Sequence, residues 1–157
     1  MLRRRSPDSS GAFTPVAVLF VAGLIGGILA NLWLPLPIMP GPGIQVMGIA
    51  PLLLGGAIFT WARAAFRRHR TTLMPWTPTS ALVTDGPYGY SRNPVYLSFA
   101  LMYLGLALAF DSAYVLILLV VVVALFDRFQ IPREERYLRA LFGVAYDSYS
   151  ARVRRWI

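Results

Sequence analysis

Gly86-Pro87-Tyr88-Gly89-Tyr90-Ser91-Arg92-Asn93-Pro94-Val95-Tyr96 is the stretch on which the fold turns. Gly, Pro, Ser and Asn dominate its first nine positions, a composition that forms turns. It then runs into Pro94 to Phe110, which carries no charge, a tight Asp111-Ser112 turn, and a second apolar run from Ala113 to Phe126, closed by Asp127-Arg128. Asn before Pro at the head of an apolar run predicts a helix start, with Asn93 at the cap and Pro94 in the first turn. The two runs are about 14–17 residues each, shorter than the usual ~20 for a membrane-crossing helix. Joined by so tight a turn, they predict an antiparallel helical hairpin. Beyond it, Pro132 precedes Glu134-Glu135, an acidic pair at a helix start.

The segments on either side are of the same apolar kind. Residues 1–15 hold Arg3-Arg4-Arg5 and a Ser/Pro/Gly run, which predicts a disordered lead. Val16 to Leu34 is uncharged, with Asn31 its one strongly polar member; at 1.5 Å per residue it covers roughly 28 Å of a bilayer core of about 30 Å. A secretory signal has an apolar region of about 7–15 residues, so the longer run predicts a retained helix. Gly23 and Gly27, four apart with Gly26 beside them, permit close helix packing. Four prolines and two glycines make 34–43 a loop, and Ile44 to Phe66 is the next span, kinked at Pro51. Arg63, Arg67, Arg68, His69 and Arg70 form a basic collar at its end. The loop from Thr71 to Asn93 is long for a connector, and long ordered loops tend to be functional. From Ile131 to Trp156 the chain is amphipathic. Leu138, Leu141, Phe142, Ala145, Tyr149, Val153 and Trp156 fall at helical spacing, with a break expected near Gly143.

Composition agrees with a chain built for lipid. Of 157 residues, 57% are hydrophobic and 14% charged, and mean hydropathy is +0.57, against about 45–50% and 25% in soluble domains. The expected architecture is all-α and integral to the membrane. Four transmembrane helices at about 16–34, 44–66, 94–110 and 113–127 precede an amphipathic cytoplasmic helix at 132–156, and residues 16–157 form a single domain. All fifteen basic residues are Arg and the net charge is +8. They lie beside apolar spans, which points to anionic lipid headgroups rather than nucleic acid. The lead has three, the 63–93 region five and the tail after 127 seven; the 35–43 and 111–112 loops have none. The positive-inside rule then places both termini and the long loop in the cytoplasm, and a bacterial inner membrane is the expected location. With no Cys and a single His69 inside the Arg cluster, neither a thiol nucleophile nor a metal site is expected.

Few residues are left for chemistry. Tyr88, Tyr90, Tyr96 and Tyr103 bring four phenols into sixteen residues. They suit an interfacial aromatic belt, or an aromatic wall for a flat base or a cation. The helix start at Asn93 offers free N–H groups to an anion, and Arg92 supplies charge there or reaches lipid phosphate. Glu134 shares a helix face with Leu138, Leu141 and Ala145, so it points to the apolar side, where a carboxylate needs a cationic partner. Glu135 points toward Arg139, an i,i+4 pair worth about 0.3–0.5 kcal/mol. Arg128 is a membrane anchor or a partner for an acidic substrate group. No GxxxxGK[ST], HExxH, GxSxG or Gly-rich nucleotide turn occurs.

Leu82-Val83-Thr84-Asp85-Gly86-Pro87-Tyr88, Arg92-Asn93-Pro94-Val95-Tyr96, Glu134-Glu135 and Phe142-Gly143 through Tyr146 to Tyr149, in that order around a helical hairpin, resemble the isoprenylcysteine carboxyl methyltransferase family and its phospholipid-methylating relatives. The resemblance covers roughly residues 71–157. It implies S-adenosylmethionine as cofactor, held at the cytoplasmic face by the hairpin and the C-terminal helix, with a lipophilic small molecule or lipid as methyl acceptor through oxygen or nitrogen. It implies that Ser80, Ala81, Leu82 and Val83 line the cofactor by backbone, and that Tyr88, Arg92, Asn93, Pro94, Val95 and Tyr96 hold its nucleoside and methionine parts. Glu134 and Glu135 take its polar groups. Three positions depart from the family pattern: Asn93 replaces a His, Ser98 a Gly, and Gln130 an Arg four residues before the inner Glu, for which Arg128 is the expected catalytic stand-in. An NADPH-dependent membrane reductase of sterol-reductase type is the second reading, though Leu97-Ser98 lacks the acid of that pattern. A transporter or assembly factor is the third, though its spans normally carry polar residues.

Overall fold

The computed structural model describes residues 13–39, 43–71 and 80–157, with side chains from Val18 onward. Most of the expected lead and the centre of the 71–93 loop lie outside the described residues. Among those described, the chain is helical with no strand. Helix α1 (Phe13–Trp33) starts three residues before the expected Val16. A single turn, α2 (Ile44–Met47), leads into α3 (Ile49–Arg68). The interruption falls at Gly48, on the turn before Pro51, whose missing N–H cannot reach back into the helix. Helices α4 (Pro94–Ala109) and α5 (Ala113–Leu125) are the two arms of the expected hairpin. Ser112 caps α5 by accepting from the Val115 N–H at 3.3 Å.

Packing sets the order α3, α4, α5, α1 across one bundle. Between α3 and α4 the backbones touch. A Cβ added at Gly105 would lie 2.8 Å from the Gly48 carbonyl oxygen, and one at Gly55 2.7 Å from that of Ser98. Glycine here replaces side-chain bulk with direct helix contact, as small residues do between membrane helices. Gly27 does the same against Val115 on α5, and a Cβ at Gly23 would meet the Tyr103 hydroxyl at 3.3 Å, whereas Gly26 faces open space. The α1 and α3 faces turned away from the bundle expose Val21, Ile25, Leu29, Leu32, Leu53 and Leu54. Such a shell of exposed aliphatics suits a lipid surround. Ile44–Arg68 and the run beginning at Ala113 are long and apolar enough to cross a bilayer; Val18–Trp33 and Pro94–Ala109 are shorter apolar helices.

At one end the two short connections fasten to each other. The Asp111 carboxylate accepts from the Ile38 N–H at 2.8 Å, Ala113 donates to the Leu36 carbonyl at 2.9 Å, and Asn31 donates to the Phe110 carbonyl at 3.1 Å. Asn31, the polar exception in the first span, is thus a tie between α1 and the hairpin turn.

The other end differs from the sequence expectation in three ways. Helix α5 does not stop at Asp127: it continues through a π turn, Phe126–Gln130, into α6 (Ile131–Phe142). The wider turn accommodates Pro132, which in a regular helix would clash with the preceding turn. The C-terminal helix is two helices, because Gly143 breaks it at φ 52 before α7 (Val144–Arg152). Residues 153–157 are not helical, so Val153 and Trp156 do not extend the expected stripe, and Leu141 and Ala145 are exposed. The face that packs inward carries Ile131 and Tyr146 together with Tyr149, the member of the expected stripe that is buried.

Candidate functional site

Pro87 and Tyr88 are buried in a short 3-10 turn, Gly86–Gly89, that lies against α3. Tyr88 packs edge-on to Phe66 with ring centroids 5.3 Å apart, in a cluster with Ala62, Ala65 and Val83. Its carbonyl accepts from the Tyr149 hydroxyl at 2.8 Å, which ties the turn to α7. Pro94 opens α4 as expected, but Asn93 does not cap it: the Asn93 amide donates to the Arg155 carbonyl at 3.0 Å. The C-terminal strap, 153–157, has taken the capping side chain. Arg92 N–H donates to the Arg154 carbonyl at 2.9 Å and Ser91 Oγ to that of Arg155 at 3.3 Å.

One turn into α4, Tyr96 is buried with Phe126, Val122 and Ile131. Its hydroxyl donates to Glu134 Oε1 at 2.5 Å, and the Gln130 side-chain nitrogen donates to the same oxygen at 3.0 Å. The π turn makes this possible by placing Gln130 and Glu134, one helical turn apart, on the side facing Tyr96. The Glu134 partners are both neutral, and among the described residues it forms no ion pair. Burial pushes its carboxyl above the ordinary carboxylate range, while the bonds from Tyr96 and Gln130 draw it part of the way back.

Glu135 has a different role. Its Oε2 accepts from Arg155 Nη2 at 2.8 Å and its Oε1 from Arg155 Nε at 3.2 Å, a bidentate pair, and Arg92 Nη2 lies 3.3 Å from Oε1. Arg155 also reaches Asp127 at 3.3 Å, and the Trp156 indole donates to Asp127 at 3.0 Å. The expected Glu135–Arg139 pair is not formed; Arg139 bonds Asp147 at 2.7 Å instead. The strap supplies a bidentate guanidinium at a half-buried position, which outcompetes an exposed i,i+4 contact.

The structure thus brings together Tyr88, Arg92, Asn93, Pro94, Tyr96, Glu134 and Glu135 from segments some forty positions apart. Val95 is half-buried beside Tyr88 and Ala62. Ser80 is exposed and Ala81 and Leu82 are half-buried, with Val83 packed on α3, and none of the four bonds to the acidic pair. Arg128 is exposed and takes no part in the network around Glu134 and Glu135. Asp127, Arg155 and Trp156 were not singled out in the sequence. Gln130 was, as the position where the family pattern has an Arg, but Arg128 was expected to act in its place, whereas it is Gln130 that bonds Glu134. Arg155 carried no signal, being one of seven arginines in the tail.

The apolar helical bundle, of a kind that suits a membrane, thus carries at one end a half-buried carboxylate with neutral partners and beside it an arginine-tied one. The chain belongs to the phospholipid methyltransferase family, whose sequence pattern matches residues 44–145. It is 36% identical over 72 residues to a protein-S-isoprenylcysteine O-methyltransferase of Schizosaccharomyces pombe, a match that covers 46% of this chain and 30% of that one. Protein-S-isoprenylcysteine O-methyltransferase B of Arabidopsis thaliana is 38% identical over 72 residues, 46% of this chain and 36% of the plant protein. An uncharacterized protein of Haemophilus influenzae is 35% identical over 63 residues, 40% of this chain and all of that one. The matched segment therefore spans about a third of the two named enzymes. No solved structure matches.

Proposed function

We propose that the chain is an S-adenosylmethionine-dependent methyltransferase with four membrane spans, acting at the cytoplasmic face on a lipophilic acceptor. The observation that carries this reading is the Tyr96–Glu134 hydrogen bond at 2.5 Å, which closes the tyrosine-rich loop on the acidic pair. The donor set fits a cationic cofactor. Glu134 is a half-buried carboxylate, and among the described residues it is paired only with neutral groups, while the Gln130 amide oxygen beside it is buried without a hydrogen-bond partner. A cation placed there offsets the cost of burying the charge, and the Tyr88 and Tyr96 rings add attraction for it. When bound, the cofactor supplies a sulfonium-activated methyl group. Tyr96 and Gln130 orient Glu134, and Glu135 positions the surrounding loop through Arg92 and Arg155. Methyl transfer from a sulfonium needs little acid–base help, so alignment is the main work of these residues. The apolar bundle admits the acceptor tail from the side. Arg128 stays assigned to an acidic substrate group approaching from the surface.

Isothermal titration with S-adenosylhomocysteine and with NADPH tests the reading. The expected result is binding of the first and none of the second. Binding of NADPH alone would favour the reductase, and binding of neither the transporter.

A further inference from the structure

Tyr103 is fully buried near the middle of α4, and its hydroxyl has no hydrogen-bond partner among the described residues. The side chains packed with it are apolar: Ala107 on α4, Val115 and Leu119 on α5, Phe20 and Leu24 on α1. The Phe20 ring meets the phenol edge-on, with centroids 5.0 Å apart. The hydroxyl faces α1 where that helix has no side chain, since a Cβ at Gly23 would stand 3.3 Å from it. A phenylalanine would fill this niche and leave no donor stranded, so the hydroxyl is a cost to the fold. Such a cost has a use where a ligand supplies the missing acceptor.

The place of the hydroxyl says which ligand reaches it. Tyr103 stands seven residues after Tyr96, so the two share one side of α4, about 10 Å apart along its axis. Phe20 joins the two levels. Its ring centroid lies 6.1 Å from that of Phe126, and Phe126 in turn lies 4.7 Å from Tyr96. An aromatic track thus runs from Tyr96, at the polar end of the bundle, to the Tyr103 hydroxyl. A lipophilic acceptor with its head at Tyr96 would lay its tail along this track. A plain hydrocarbon tail has no use for a hydroxyl at that depth, whereas a carbonyl on the tail accepts from it.

We infer that the Tyr103 hydroxyl is a specificity-determining group that donates to a carbonyl in the tail of the lipophilic acceptor. The inference rests on the methyltransferase reading above and deepens it.

The test measures binding of two phosphatidylethanolamines to the full-length protein in detergent micelles, by thermal melts over a range of lipid concentration. One lipid is the diacyl form, whose ester carbonyls, in an extended molecule, stand at about the Tyr96-to-Tyr103 separation from the headgroup amine. The other is the dialkyl ether form, with the same headgroup and no carbonyl. Wild type is expected to bind the diacyl form about three- to tenfold more tightly. Tyr103→Phe is expected to bind both alike, with a ligand-free midpoint at or above that of wild type. A farnesylated N-acetylcysteine, whose carbonyls all lie at its polar end, is expected to bind the two proteins equally. Gly23→Ala, which sets a methyl group 3.3 Å from the hydroxyl, is expected to weaken the diacyl form and spare the ether, and serves should Tyr103→Phe not fold. Wild type that binds neither lipid, or both alike, overturns the subsite. So does a preference that survives in Tyr103→Phe, or a Tyr103→Phe variant that weakens all three ligands, which marks a packing role. Wild type that prefers the diacyl form but binds no S-adenosylhomocysteine overturns the methyltransferase reading instead.

Discussion

Glu134→Gln is expected to lose about 10- to 100-fold in affinity for S-adenosylhomocysteine while its thermal midpoint stays level or rises. The first half follows from the worth of a charge-assisted hydrogen bond, about 1.5–3 kcal/mol, at about 1.4 kcal/mol per tenfold. The second follows from the same burial that raises the carboxyl's pKa: the neutral amide removes a desolvated charge and still accepts from Tyr96 and Gln130 through one oxygen. A residue that merely holds the fold would show the reverse, with midpoint falling and affinity kept. Calorimetric titration and a thermal melt of the same preparation separate the two.

Glu135→Ala is expected to act on the fold. The substitution leaves Arg92, whose side chain is 16% exposed, and Arg155, 32% exposed, without their shared carboxylate. Removing one partner of a fully buried pair costs about 3–5 kcal/mol; partial exposure here lowers the expected loss to about 2 kcal/mol. The midpoint should drop by several degrees, and limited proteolysis should clip the 153–157 strap, which wild type protects. Asp127→Asn should do the same more weakly, since Arg155 keeps Glu135. An intact strap with an unchanged midpoint, and lost cofactor affinity, would place Glu135 in direct contact with ligand.

The contrast between the two glutamates shows what the sequence could carry. Their different directions followed from helix geometry alone; Glu134 is half-buried, but Leu141 and Ala145, with which it was expected to share an inward face, are exposed. The hairpin was legible because Asn93-Pro94 and Asp111-Ser112 are local signals. The strap was not, because Val153 and Trp156 continue the helical spacing of the residues before them and the hold of 153–157 on Ser91, Arg92 and Asn93 is through backbone carbonyls. That same hold is why Asn93 does not cap α4. The π turn was equally hidden: Pro132 reads as a helix start, and only the packed structure shows α5 passing through it without a stop.

A structure of the full-length protein in lipid nanodiscs, with S-adenosylhomocysteine bound, tests the central claim most directly. The account predicts ligand density bounded by Tyr88 and Tyr96 on one side and by Gln130 and Glu134 on the other, with a ligand nitrogen within hydrogen-bond reach of the Glu134 carboxylate. Density at another part of the bundle, with Tyr96 and Glu134 still bonded to each other and touching nothing bound, would contradict it.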